Sequence, residues 1–158
     1  MGSTKRVIRW ALLVASLGIL AARSPAWGVP APMSPEQLES ASDLVATVRV
    51  LGVVCADAEA RDGERLGRYQ AWLRIVDLKK GSVRAGESVL VQWSDVPRRL
   101  VGAWTVAYYP GEELLTHLKW DAAQHVYVTT WWNAKGRPRR APDTRELPKD
   151  CGGPGRES

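Results

Sequence analysis

From Asp43 onward the chain is cut into short apolar runs of alternating parity, each closed by Gly, Pro or a charged cluster. That cadence is the signature of a small all-β domain. The clearest run is Asp43 to Cys55, DLVATVRVLGVVC. Leu44, Ala46, Val48, Val50 and Val54 share one parity and are all apolar, while Thr47 and Arg49 mark the other face as partly wet. Period-two alternation with β-branched enrichment predicts a strand. Ala56 to Arg68 is charged and carries Gly63 and Gly67, which predicts a loop.

The pattern then repeats. Tyr69 to Leu78 places Tyr69, Ala71, Leu73 and Ile75 on one face, with Gln70, Trp72 and Arg74 on the other. Lys79-Lys80-Gly81 predicts a turn, and Ser88 to Ser94 puts Val89, Val91 and Trp93 on one side. Asp95 to Arg99 reads as a connector, and Trp104 to Tyr109 as a fourth strand stopped by Pro110-Gly111. Glu113 to Trp120 and His125 to Trp132 form a hairpin around Asp121 to Gln124, with Trp120 opposite His125. Five to six such strands predict a small barrel or sandwich with little helix. The one helix signal is Ser34-Pro35-Glu36, an N-cap, a first-turn proline and a first-turn acid, ending near Ala41 or Ser42.

Residues 1–28 read as an address. Lys5, Arg6 and Arg9 precede the apolar run Trp10 to Ala22, and small residues around Ala26 and Gly28 offer a cleavage site. This is the layout of a secretory signal peptide, and the run is too short for a spanning helix of about 20 residues. The expected organisation is therefore a signal at 1–28, a stiff entry segment and short helix at 29–42, a β-barrel domain at 43–133 and an irregular tail at 134–158. The expected location is periplasmic or secreted, with no membrane association after cleavage.

The signal also reorders the charge argument. Of the 22 basic residues four lie in residues 1–28, and none of the 17 acids does, so the formal charge of +5 falls to +1 in the remainder. A nucleic-acid binder needs a basic excess that persists on one face, so nucleic acid is not the expected partner.

Two cysteines in an exported chain predict one disulfide, Cys55–Cys151. Closing so long a loop contributes about 4–5 kcal/mol in the chain-entropy account. There is no C-x-x-C redox spacing.

Catalytic chemistry is poorly supplied. His117, Asp121 and His125 are spaced like ligands on a helix, but a hairpin sends the two histidines to opposite faces, so no metal site is expected. There is no G-x-S-x-G elbow and no phosphate-binding loop, and no cofactor is expected. Glu112-Glu113 beside Pro110-Gly111 reads as a solvated turn.

The aromatics are more unusual. There is no Phe, yet Trp72, Trp93, Trp104, Trp120, Trp131 and Trp132 all follow the signal. Trp131 and Trp132 are adjacent and run into Asn133, Lys135, Arg137, Arg139 and Arg140. An outward Trp beside basic groups suits an interface, because Trp and Arg dominate hot spots, and it also suits stacking on a sugar. The candidate binding surface is Trp120, Trp131, Trp132, Asn133 and Arg137; the bland alternative packs the second Trp under the tail.

Ser42-Asp43-Leu44-Val45-Ala46-Thr47-Val48-Arg49-Val50 resembles the opening strand of bacterial exported domains similar to the netrin and tissue-inhibitor-of-metalloproteinase group. Trp72 to Leu78, Lys80-Gly81 and Gly86-Glu87-Ser88-Val89-Leu90-Val91 resemble that group's second strand, Lys-Gly turn and G-x-x-V-x-V strand. The resemblance covers about residues 42 to 93. It implies a five-stranded OB-type barrel and a binding role. The group's inhibitors reach a protease zinc through an N-terminal cysteine; Cys55 is internal, so that mechanism does not carry over.

The resulting expectation is an exported, non-enzymatic OB-like barrel that binds a protein partner, such as an accessory or maturation factor for a periplasmic enzyme. The rival is a carbohydrate or small-ligand module stacking sugars on Trp120 and Trp131.

Overall fold

Ser34, Pro35 and Gln37 start the single helix among the described residues, α1 (Pro35–Ala41). The Ser34 side chain accepts the Gln37 N–H and the Gln37 side chain accepts the Ser34 N–H, a reciprocal capping box. Only Leu38 of this helix is buried. The strands are β1 (Leu44–Arg61), β2 (Glu64–Lys80), β3 (Ser88–Ser94), β4 (Glu113–Asp121) and β5 (Val126–Thr129). The computed structural model describes residues 30–61, 64–96, 105–148 and 151. The leading segment 1–28, Trp104, most of the Asp95–Arg99 connector and the tail beyond Cys151 lie outside them.

The five strands close into a barrel in the order β1-β2-β3-β5-β4. β1 runs antiparallel to both β2 and β4, and β3 meets β5 in parallel over Val91↔Tyr127 and Gln92↔Val128. The architecture is all-β and OB-like. Closure removes the free sheet edges that an open five-stranded sheet would expose. Inward rows from Leu44 to Val50 on β1, Ala71 to Ile75 on β2, Val89 and Val91, and Leu114 and Leu118 fill the interior. Tyr69 stacks on Trp93 and Trp93 meets Tyr108 at a tilt in the core, with ring centroids 5.6 Å apart at each step.

Cys55 and Cys151 are disulfide-bonded, with Cα atoms 5.2 Å apart, and lie 96 positions apart in sequence. The bridge lays Cys151 against Gly67. A Cβ at Gly67 would come within 2.9 Å of the Cys151 Cβ and 2.8 Å of the Tyr69 hydroxyl, so this close approach requires glycine.

Four sequence expectations need correction. Ala56 to Arg68 is not a loop: β1 and β2 pair from Cys55↔Tyr69 out to Arg61↔Glu64, with one register shift at Ala56. Val54 does not follow Val50 into the core. A bulge at Leu51 shifts the register between Val50 and Gly52, so Val53 and Cys55 pack inward and Val54 turns out. A one-residue insertion swaps faces in this way. Thr105 to Tyr109 makes no strand, although Val106 and Tyr108 are buried as the alternation required. In the hairpin Trp120 pairs with Tyr127, not His125. His125 takes a positive φ of 53° in the turn, and β5 stops at Thr129, before Trp131.

Candidate binding surfaces

Trp131, Trp132 and Asn133 come together as expected, but they hold the chain's own entry segment. The Trp132 indole N–H donates to the Pro30 carbonyl at 2.9 Å, and that of Trp131 to the Ala31 carbonyl at 3.1 Å. Asn133 grips Met33 twice: its Nδ2 donates to the Met33 carbonyl at 2.9 Å, and the Met33 N–H donates to its Oδ1 at 3.3 Å. All three side chains are half-buried. The second Trp is thus engaged by the N-terminal segment, where the bland alternative placed the C-terminal tail.

Trp120 and Arg137 lie apart from this cluster. Trp120 follows Leu114, Thr116 and Leu118 in the inward row of β4, but it stands at the end of the barrel and is 42% exposed. Tyr127 and His125 pack against its ring at centroid distances of 5.0 and 6.3 Å, and its backbone N–H donates to Asp43 Oδ2 at 2.8 Å. Arg137 is exposed on the tail.

The Glu112 carboxylate is not solvated. Its side chain is 1% exposed and 2.6 Å from Lys135 Nζ. The same ammonium donates to the Ala107 carbonyl at 2.6 Å and sits 5.3 and 5.2 Å from the Tyr108 and Tyr109 ring centres. The Tyr109 N–H donates to Glu112 Oε1 at 2.7 Å. Burial holds the Lys135 pKa below its ordinary value, and the Glu112 hydrogen bond and charge only partly offset this. This cluster ties the tail to the turn at Pro110-Gly111. From there the tail runs beside β4 through the Thr116↔Lys135 and Glu113↔Arg140 bridges. Lys135 therefore does not contribute to a basic rim. Among the described residues no group of three or more His, Cys, Asp or Glu could hold a metal.

Among the described residues, a further outward apolar feature lies elsewhere. Leu51, Val54, Trp72 and Val76 are 45–50% exposed on the outer side of β1 and β2. Leu51 and Val76 are unpaired residues at the register shifts, and Trp72 lies opposite Gly52. A Cβ at Gly52 would meet nothing within 4 Å, so the surface beside the indole is open. Trp72 also pairs with Leu90 of β3, Arg74 follows it on the same face, and Arg49 is 3.8 Å from Glu113. Sequence alternation had put Trp72 on this wet face; the bulge that turns Val54 outward was signalled only by Gly52.

Compared with known proteins, the chain matches no family model, no curated protein and no solved structure. Its class is therefore set by the fold alone: a small disulfide-pinned OB-like barrel. No helix among the described residues is long and apolar enough to cross a membrane.

Proposed function

We propose that this chain is an exported, non-catalytic binding module, an OB-type domain of the netrin and tissue-inhibitor kind, that docks a partner protein through the outer face of β1 and β2. The observation that carries the reading is the half-exposed set Leu51, Val54, Trp72 and Val76 on one face. Contiguous outward apolar groups flanked by polar and basic ones mark protein contacts, and Trp is the commonest anchor. The cross-strand pair Arg49 and Arg74 sets basic groups between Trp72 and Val76 on that face, with Arg49 beside Glu113. The disulfide and the leading 28 residues support the periplasm or extracellular space as the place of action, and an accessory or maturation role for an envelope enzyme fits such a module.

The carbohydrate reading is weaker. Trp120 has its ring packed edgewise by Tyr127 and His125, and the indole N–H of Trp131 is already spent on Ala31. The test compares oxidised wild type with Trp72→Asp and Arg137→Ala as baits in the native envelope fraction. A discrete protein should be retained by wild type and Arg137→Ala and lost by a folded Trp72→Asp. Equal capture by all three, or no protein together with thermal stabilisation by a glycan, overturns the proposal.

A further inference from the structure

The four hydrogen bonds of the Trp131-Trp132-Asn133 cluster fall on the entry segment in a selective pattern. They use the carbonyls of Pro30, Ala31 and Met33, and the N–H of Met33. Among the described residues, the only entry-segment donor the three side chains engage thus belongs to a non-proline residue, and the prolines occupy positions where no N–H is asked for. A Pro-x-Pro-x backbone satisfies this cradle and leaves little unmatched. Proline lacks the N–H, and its fixed φ keeps the carbonyls displayed along an extended helix. Indole N–H groups aimed at the carbonyls of a proline-rich strand are a general mode of peptide recognition.

The segment's departure would leave the rest of the fold in place. α1 is fixed by other contacts: buried Leu38, the Ser42 Oγ–Thr130 Oγ1 hydrogen bond at 2.7 Å, and the Lys80 ammonium donating to the Glu39 carbonyl at 2.7 Å. Ala31 and Pro32 are exposed while docked. We propose that the Trp131-Trp132-Asn133 cradle is a recognition site for an extended Pro-x-Pro-x segment of another protein, held closed by the chain's own Pro30–Met33 until a competitor displaces it. The tether gives the internal segment a millimolar effective concentration, so a competing segment must be presented at high local concentration or by a partner held elsewhere on the domain. The site is independent of the Trp72 face.

The test reads the Trp131 and Trp132 indole N–H resonances of the 15N-labelled full chain. Pro30→Gly, Ala31→Ser, Pro32→Gly and Met33→Ser are introduced together; Met33→Pro alone, which deletes the Met33 donor, is the second release variant. Both should shift the two indole signals and leave the barrel signals in place. The peptide acetyl-Val-Pro-Ala-Pro-Met-Ser-amide should then return them saturably in the first variant, binding roughly tenfold more tightly than its Gly-Ser-Gly-Ser counterpart because it is preorganised. Asn133→Ala added to that variant should abolish the return. Indole signals that stay at their wild-type positions in both variants overturn the proposal, because the cradle then holds any tethered chain. Absence of a return at millimolar peptide overturns it equally, as does a doubled mass of wild type in light scattering, which would assign the segment to a second copy.

Discussion

Lys135 Nζ lies 2.6 Å from Glu112 Oε1, and the Glu112 side chain is almost wholly withdrawn from solvent. The two residues are 23 apart in sequence, and their contact fastens the tail to the turn before β4. A buried pair of this kind adds little net stability, but losing one member strands a charge in the interior. Lys135→Met should therefore cost about 3–5 kcal/mol in urea unfolding, and Glu112→Gln combined with Lys135→Met should recover most of that loss. A single substitution that costs no more than the double one would show that the pair is solvated in solution.

Alkali should unfold the barrel through its buried phenols. Tyr108 is fully buried and hydrogen-bonded to Thr116 Oγ1 at 2.6 Å, and burial raises its pKa well above the ordinary value of about 10. With the folded value raised, the unfolded chain releases its proton first as pH climbs. The stability is present below about pH 10 and is lost above it. Tyr69 and Tyr127 are raised in the same direction, chiefly by burial. Urea midpoints should fall above about pH 10, and less steeply in Tyr108→Phe paired with Thr116→Val. Equal slopes for the two proteins would assign the alkaline loss to other groups.

Strand existence was legible where one face met the core, and illegible where neither did. Leu44, Ala46, Val48 and Val50, like Tyr69 to Ile75, alternate because the barrel interior selects every second side chain, although Val45 and Thr47 on the other face of β1, read as partly wet, are buried as well. The arm from Asp57 to Arg68 pairs just as regularly, but most of its described side chains are wet. Alternation vanishes there, and charge masquerades as a loop. The overlooked signal was Asp62-Gly63, the two residues between the paired Arg61 and Glu64 and a strong hairpin dipeptide. Val106 and Tyr108 show the converse: their alternation records burial, with no strand partner. The Trp131-Trp132-Asn133 site was legible as a cluster. Its occupant was not, because no local pattern links residues about 100 positions apart.

The Leu51 bulge supplies a separate test of register. Val53 is partly buried against the core and Val54 is half-exposed, so Val53→Thr should cost up to about 1 kcal/mol for a partly buried hydroxyl, while Val54→Thr should stay within about 0.5 kcal/mol. Uninterrupted alternation from Leu44 would reverse the order of the two effects. Urea unfolding of the pair is enough to decide.

Releasing the entry segment should be mild and local. Asn133→Ala removes both hydrogen bonds to Met33, and loss of two such bonds at a half-buried site costs about 1–2 kcal/mol. The Met33 amide should then exchange with solvent far faster, while amides of β1 and β2 keep their protection. Uniformly faster exchange across the barrel would mean that the segment is integral to the core.

The disulfide should govern the tail and the base of the long β1–β2 arm together. Cys55 lies on β1 beside Tyr69 of β2, and Cys151 fills the space above Gly67. Opening the bridge frees a loop of 96 residues in the unfolded chain, which costs up to about 4–5 kcal/mol. It also uncovers the Tyr69–Asp95 hydrogen bond, 3.3 Å long, where the arm joins the barrel. Cys55→Ser with Cys151→Ser should lower the urea midpoint and speed proteolysis of the tail after Pro148, and reductant should do the same to wild type but nothing further to the variant. Alkylation of oxidised wild type should label no thiol; labelling of both Cys55 and Cys151 would remove the basis for this effect.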